Sequence, residues 1–167
     1  MTSGSSESLL ARVRSCTVCE KHLPLGPRPV LQFSPQARVL IAGQAPGSRV
    51  HHSGIPFDDP SGDRLRDWMG IEKTDFYDEN KVSILPMGFC FPGTGHSGDL
   101  PPRPECADTW RELLLSQFRD LSLTIVLGKY ALDYHLGNQR ASVTDQVKAW
   151  PDHWPHIIPL PHPSPRN

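Results

Sequence analysis

The sequence predicts an α/β fold, a three-layer α/β/α arrangement around a central parallel four-stranded sheet. Two observations predict it. Four short apolar runs, "ARVLIAG" (37–43), "KVSILPM" (81–87), "LTIVLG" (123–128) and "HIIPLP" (156–161), read as buried strands with Gly or Pro at or near their ends. Helical patterns lie between them, and strands that alternate with helices build a parallel sheet covered on both faces.

The helical segments follow in chain order. "SESLLARVRS" (6–15) precedes the first cysteine pair. "SGDRLRDWMG" (61–70) follows the first strand, with Ser61 as its expected N-cap and Gly70 as its stop. "PECADTWRELLLSQF" (104–118) leads into the third strand, and "KYALDYHL" (129–136) leaves it. Ligands of open parallel sheets bind beyond the carboxyl ends of the strands. Two loops belong there on this reading, "GQAPGSRVHHSGIPFDD" after the first strand and "HPSPRN" after the fourth. His162 is therefore expected to face the same crevice as Gln44.

Bulk properties narrow the function. The 167 residues suffice for one domain, residues 1–167, and the formal net charge of −1 gives no global basic attraction for nucleic acid. No apolar run approaches the roughly 20 residues of a membrane span. The start has no long apolar stretch of a secretory signal, which makes a cytoplasmic, reducing compartment the default. There the four cysteines read as metal ligands or free thiols rather than disulfides. Cys16 and Cys19 form a C-x-x-C pair, and Cys90 and Cys106 follow far downstream. Four thiolates suit zinc or an iron–sulfur cluster, and spacing alone does not separate the two.

The loop after the first strand carries the other signals. In "GQAPG", Gly43 and Gly47 permit close backbone approach and Pro46 stiffens the turn, so exposed N–H groups there can hold an oxygen. Phe57, in "GIPFDD", is an aromatic able to stack on a flat base, or else a core side chain. His51 and His52 are read as solvated loop residues.

These residues together resemble the uracil-DNA glycosylase superfamily, most closely its iron–sulfur branches, families four and five. "GQAPG" resembles the first motif of family four, G-E-A-P-G. "GIPFDDPSGDRL" resembles the stretch that follows it, with Phe57 on the base-stacking phenylalanine, and "HPSPRN" resembles the second motif, with His162 on the catalytic histidine. Cys16, Cys19, Cys90 and Cys106 resemble the four ligands of a 4Fe–4S cluster, which the resemblance favours over zinc.

The resemblance implies excision of uracil or another deaminated or damaged base from DNA, with the base flipped into the crevice. Phe57 would stack on the base, backbone groups of Gly43, Ala45 and Gly47 near Gln44 would hold a carbonyl oxygen, and His162 would stabilise the departing anion. Ser164 and Arg166 would meet DNA. Some positions depart from the pattern. Gln44 stands where family four has glutamate, and Ala45 where other branches carry aspartate or asparagine. Asp59 falls on the acidic residue of family five, a catalytic base on that reading and a solvated surface acid otherwise. Pro86 stands where both branches place a base-reading asparagine. Members usually continue past the second motif into a helix, so the resemblance reads the domain as truncated at its C-terminus or covered there by a partner. Two functions follow: a glycosylase, or a module on the same fold that binds DNA or a base without turnover. A zinc-stabilised fold with no nucleic-acid role is the third.

Overall fold

The computed structural model describes residues 3–166, with side chains described from residue 6. Helix α1 (Ser3–Arg14) comes first and buries Leu9 and Val13, four residues apart on one face. Strand β1 (Val39–Ala42) follows, then α2 (Ser48–Ser53), α3 (Pro60–Met69) and α4 (Lys73–Phe76). Next come β2 (Val82–Ile84) and a small hairpin, β3 (Thr94–Gly95) with β4 (Gly98–Asp99). The chain continues through α5 (Pro104–Leu115), β5 (Leu123–Leu127), α6 (Gly128–Leu136), α7 (Val143–Lys148) and β6 (Ile157–Leu160).

The main sheet has the order β2-β1-β5-β6, and every pair in it is parallel. β1 is central, with Val39 beside both Val82 and Leu123. Alternation along the strands divides the core into two layers. Leu40 joins Leu9, Val13, Leu85, Trp110 and Leu114 beneath α1 and α5, while Ala42 and Val126 meet Ala131 and Leu132 of α6. Ile41, Ile125 and Leu127 face the other way, onto Leu65 and Phe76 of α3 and α4. Each large side chain buried this way stabilises the fold by roughly 1.5–3 kcal/mol relative to exposure. The α/β/α sandwich is thus the fold the strand–helix alternation predicts. No helix among the described residues is long and apolar enough to cross a membrane.

The structure corrects three local readings. The N-cap of α3 is Asp59, whose side chain accepts the Gly62 N–H, and Ser61 lies inside the helix after Pro60. Pro at the first helical position suits this start, because its missing N–H is not needed there. The stretch after β1 is not all loop, since residues 48–53 form α2. His51 on that helix is buried against Phe91 rather than solvated, and its burial, with the nearby His52 and Arg28 charges, pulls its pKa below the usual histidine value.

Candidate base-binding cavity and thiol cleft

A cavity of about 650 Å3 opens at the carboxyl ends of the strands, lined by both sequence motifs. That is within the range of small-molecule sites. Gly43, Gln44, Ala45 and Gly47 enter it from the end of β1, Pro86 from the end of β2, and His162, Ser164 and Arg166 from the loop after β6. Phe57 and Asp59 enter it from the segment before α3. β5 contributes through Gly128, at φ +78°: a Cβ there would stand 3.3 Å from the His162 Cβ and 3.8 Å from Gln44 Oε1. Gly128 therefore lets the two motifs close on each other, as expected for His162 and Gln44.

Phe57 adopts a left-handed backbone conformation, φ +56°, uncommon for a bulky residue. Its surroundings hold it there. Gly62 passes so close that a Cβ would lie 1.8 Å from the Phe57 carbonyl oxygen, so only glycine fits. Arg66, buried on α3, donates to the Phe57 carbonyl at 3.3 Å and to the Tyr77 hydroxyl at 3.2 Å, and pairs with Asp63 at 2.8 Å. Tyr77 in turn donates to the Pro56 carbonyl at 2.8 Å. Burial pushes the Tyr77 phenol up, which keeps that donor protonated. The Phe57 ring is only partly buried: it meets Phe76 edge-on, with centroids 6.2 Å apart, and lines the cavity. Gly43 makes room for it, since a Cβ there would lie 3.3 Å from Phe57 Cζ.

His162 is positioned by its own loop. Its Nδ1 accepts the Ser164 N–H at 3.1 Å, which places the proton of the neutral ring on Nε2. Burial lowers its pKa, with the Asp59 and Asp99 charges opposing that shift, so the neutral ring is favoured. The Ser164 carbonyl accepts from Arg64 at 2.8 Å, pinning the loop to α3. Asp59 lines the same cavity while its Oδ1 accepts the Gly62 N–H at 2.8 Å.

The wall behind Pro86 holds a buried cation. Arg111 of α5 donates to the Leu85 and Pro86 carbonyls at 3.0 and 3.1 Å. Its Nη2 also lies 2.8 Å from His135 Nε2. Burial lowers Arg111 to about 10, still charged at neutral pH, and burial together with the Arg111 charge drops His135 to about 3. His135 is thus a neutral acceptor for the guanidinium. Arg111, Asp99 and Gly128 escape sequence reasoning because they lie outside the motifs, and Arg64 because its place in "GIPFDDPSGDRL" assigns it no role.

A second, smaller cleft gathers Cys16, Cys19, Cys90 and Cys106 with Gly88, Phe89, Arg103 and Trp110. Cys16 follows α1, Cys106 sits in the first turn of α5, and Cys90 lies in the loop after β2. Trp110 Nε1–H donates to Cys16 Sγ at 3.2 Å and the Phe89 N–H to Cys106 Sγ at 3.3 Å. All four are free cysteines. Among the described residues, no three His, Cys, Asp or Glu side chains close to metal-ligand spacing. Burial pushes the Cys90 thiol to about 11 and Cys106 to about 12, and raises Cys19. Burial thus favours the neutral thiol at Cys19, Cys90 and Cys106.

The family described as "Uracil DNA glycosylase superfamily" matches residues 31–167. A protein of Thermotoga maritima named Type-4 uracil-DNA glycosylase is 28% identical over 166 residues, covering 95% of this chain and 81% of its own length.

Proposed function

Because the chain belongs to the uracil DNA glycosylase superfamily, we propose that it is a DNA glycosylase that hydrolyses the N-glycosidic bond of uracil or another deaminated base in base-excision repair. The observation that carries this reading is the convergence of Phe57, the "GQAPG" backbone and the Nε2-protonated His162 on one cavity. The flipped base stacks on Phe57, whose backbone is locked before DNA arrives. Backbone N–H groups of the 43–47 turn hold a carbonyl oxygen. As the glycosidic bond breaks, negative charge builds on the base, and the Nε2–H of His162 donates to it. A preplaced neutral donor costs no reorganisation at that moment. Gln44 orients water rather than removing its proton, because an amide is not a base. Ser164 and Arg166, which line the cavity, take DNA phosphate.

The thiol cleft supports a 4Fe–4S cluster held by Cys16, Cys19, Cys90 and Cys106, with zinc as the alternative. Either centre, when bound, supplies the positive charge that keeps these thiols deprotonated and joins residues 16–19 to 90–106. The donor set fits: four cysteines face one cleft, and two of their sulfurs accept N–H bonds. A reducing cytoplasmic setting suits such thiols.

A non-catalytic DNA- or base-binding module is the second reading, favoured by Pro86, which offers the base no polar side chain, and by Gln44. Oligonucleotides carrying uracil, hypoxanthine or xanthine decide between them. The glycosylase leaves abasic sites in at least one and none in undamaged DNA. Binding to the damaged strands without any abasic product establishes the module instead.

A further inference from the structure

We propose that Asp99, on the β3–β4 hairpin, is the general base that takes the proton of the attacking water. The inference rests on the glycosylase reading and adds the group that both motifs lack. Gln44 ends in an amide and Ala45 in a methyl, so among the described residues the carboxylates lining the cavity are Asp59 and Asp99.

The two differ in what proton uptake would break. Asp59 Oδ1 is the cap of α3 and accepts a backbone N–H, a donor that cannot turn round. Protonation there opposes a cap worth about 1 kcal/mol. Asp99 Oδ1 accepts from the Thr94 hydroxyl at 3.2 Å. Thr94 can keep donating to Oδ1 while the other oxygen takes a proton, so no backbone cap is opposed. The other oxygen, Oδ2, stands over the "GQAPG" turn, 3.3 Å from where a Gly47 Cβ would be. The bare backbone at Gly47 is thus what admits this carboxylate to the cavity wall. Asp99 also shares the cavity with His162, whose titration responds to its charge.

In the step this assigns, the water oxygen bonds to the anomeric carbon of the sugar. The bond from that carbon to the base nitrogen breaks, and its electron pair leaves with the base as an anion. The water proton passes to Asp99, and His162 stabilises the anion by hydrogen bonding. Atoms and charge balance with water as the sole co-reactant.

The test is single-turnover excision at saturating DNA, on a damaged oligonucleotide the wild-type chain cuts. Asp99→Asn lowers the rate roughly 10²–10³-fold, within the range of general-base removal, and leaves the DNA dissociation constant within about twofold. Asp99→Ala recovers part of the loss when formate is added, a rescue that a purely structural carboxylate would not show. Asp59→Asn, which keeps a cap, loses less than Asp99→Asn. Wild-type excision by Asp99→Asn, or a larger loss in Asp59→Asn, overturns the assignment and leaves the glycosylase reading standing. Wild-type protein that binds damaged DNA and cuts none overturns both.

Discussion

The base cavity and the thiol cleft share the loop after β2, with Pro86 lining one and Phe89 and Cys90 lining the other, yet they are built on opposite principles. The cavity is closed by the chain's own hydrogen bonds: Arg66 to Phe57, Tyr77 to Pro56, Ser164 to His162, Arg64 to Ser164. Its walls are the ends of strands fixed by the sheet. The cleft joins segments distant in sequence, and its half-buried Cys90 and Cys106 thiols, at about 11 and 12, are neutral on their own. One site is organised by the fold before its ligand arrives. The other, on the proposed reading, is completed by a metal centre.

Metal removal breaks that comparison most strongly, because a thiolate-bound structural metal contributes on the order of 10 kcal/mol. Protein purified without oxygen carries iron and sulfide, or one zinc if the alternative holds. Stripping the metal, or Cys106→Ser, should raise amide hydrogen exchange across 16–19 and 88–106. Residues 57–66 should stay protected. Equal loss of protection in both regions would show that the cavity depends on the metal too.

The Arg111–His135 pair, bound through Arg111 to the Leu85 and Pro86 carbonyls, gives the next effect. His135 titrates near 3 in the folded protein, well below the usual histidine value of about 6.5. The unfolded chain therefore binds the proton first. Stability from this group is complete above about pH 6.5 and is lost progressively as pH falls toward 3, by several kcal/mol in all. Urea unfolding from pH 7 to pH 3 measures it. His135→Gln, which keeps an acceptor for Arg111, should be flatter than wild type over that range. His162 and His51, both lowered by burial, add slope of the same sign in both proteins.

Removing His162, the donor proposed for the departing base, comes third. His162→Ala should slow single-turnover excision by about 10²–10³, as for loss of one oxyanion donor, with DNA affinity nearly unchanged. The same change should leave exchange in the thiol cleft as in wild type. That sharpens the claim that the two sites are organised separately.

The sandwich and the cavity floor were legible because they follow from period and position. Four apolar runs alternating with helical patterns leave few topologies, and the motif glycines sit at strand ends where backbone approach is needed. The supports were not legible. Arg66 and Arg111 look like surface charges in a helical pattern, and only the packed structure shows them buried against carbonyls. Ser61 and Asp59 are both good caps by type, and Pro60 decides between them by occupying the first helical position. The six-residue α2 is too short to show a period. Asp99 belongs to a two-residue strand in a Gly-rich stretch, where sequence reads only a turn.

The smallest effect separates what the Phe57 ring does from what its backbone costs. Loss of base–aromatic stacking should weaken binding to DNA carrying a damaged base by roughly 1–3 kcal/mol in Phe57→Ala, and by the same amount in Phe57→Gly. The two variants should differ in stability. At φ +56° an alanine keeps the left-handed penalty, whereas glycine has none, so the glycine variant should unfold later by about 1 kcal/mol. Part of that is offset by the greater freedom of glycine in the unfolded chain. Urea midpoints and DNA titrations on the same two proteins check both halves. Equal loss of affinity on undamaged DNA would mark Phe57 as packing for α3 and Phe76 rather than a base platform. Equal stability of the two variants would show that Arg66 and Gly62 hold the carbonyl of residue 57 without straining the chain.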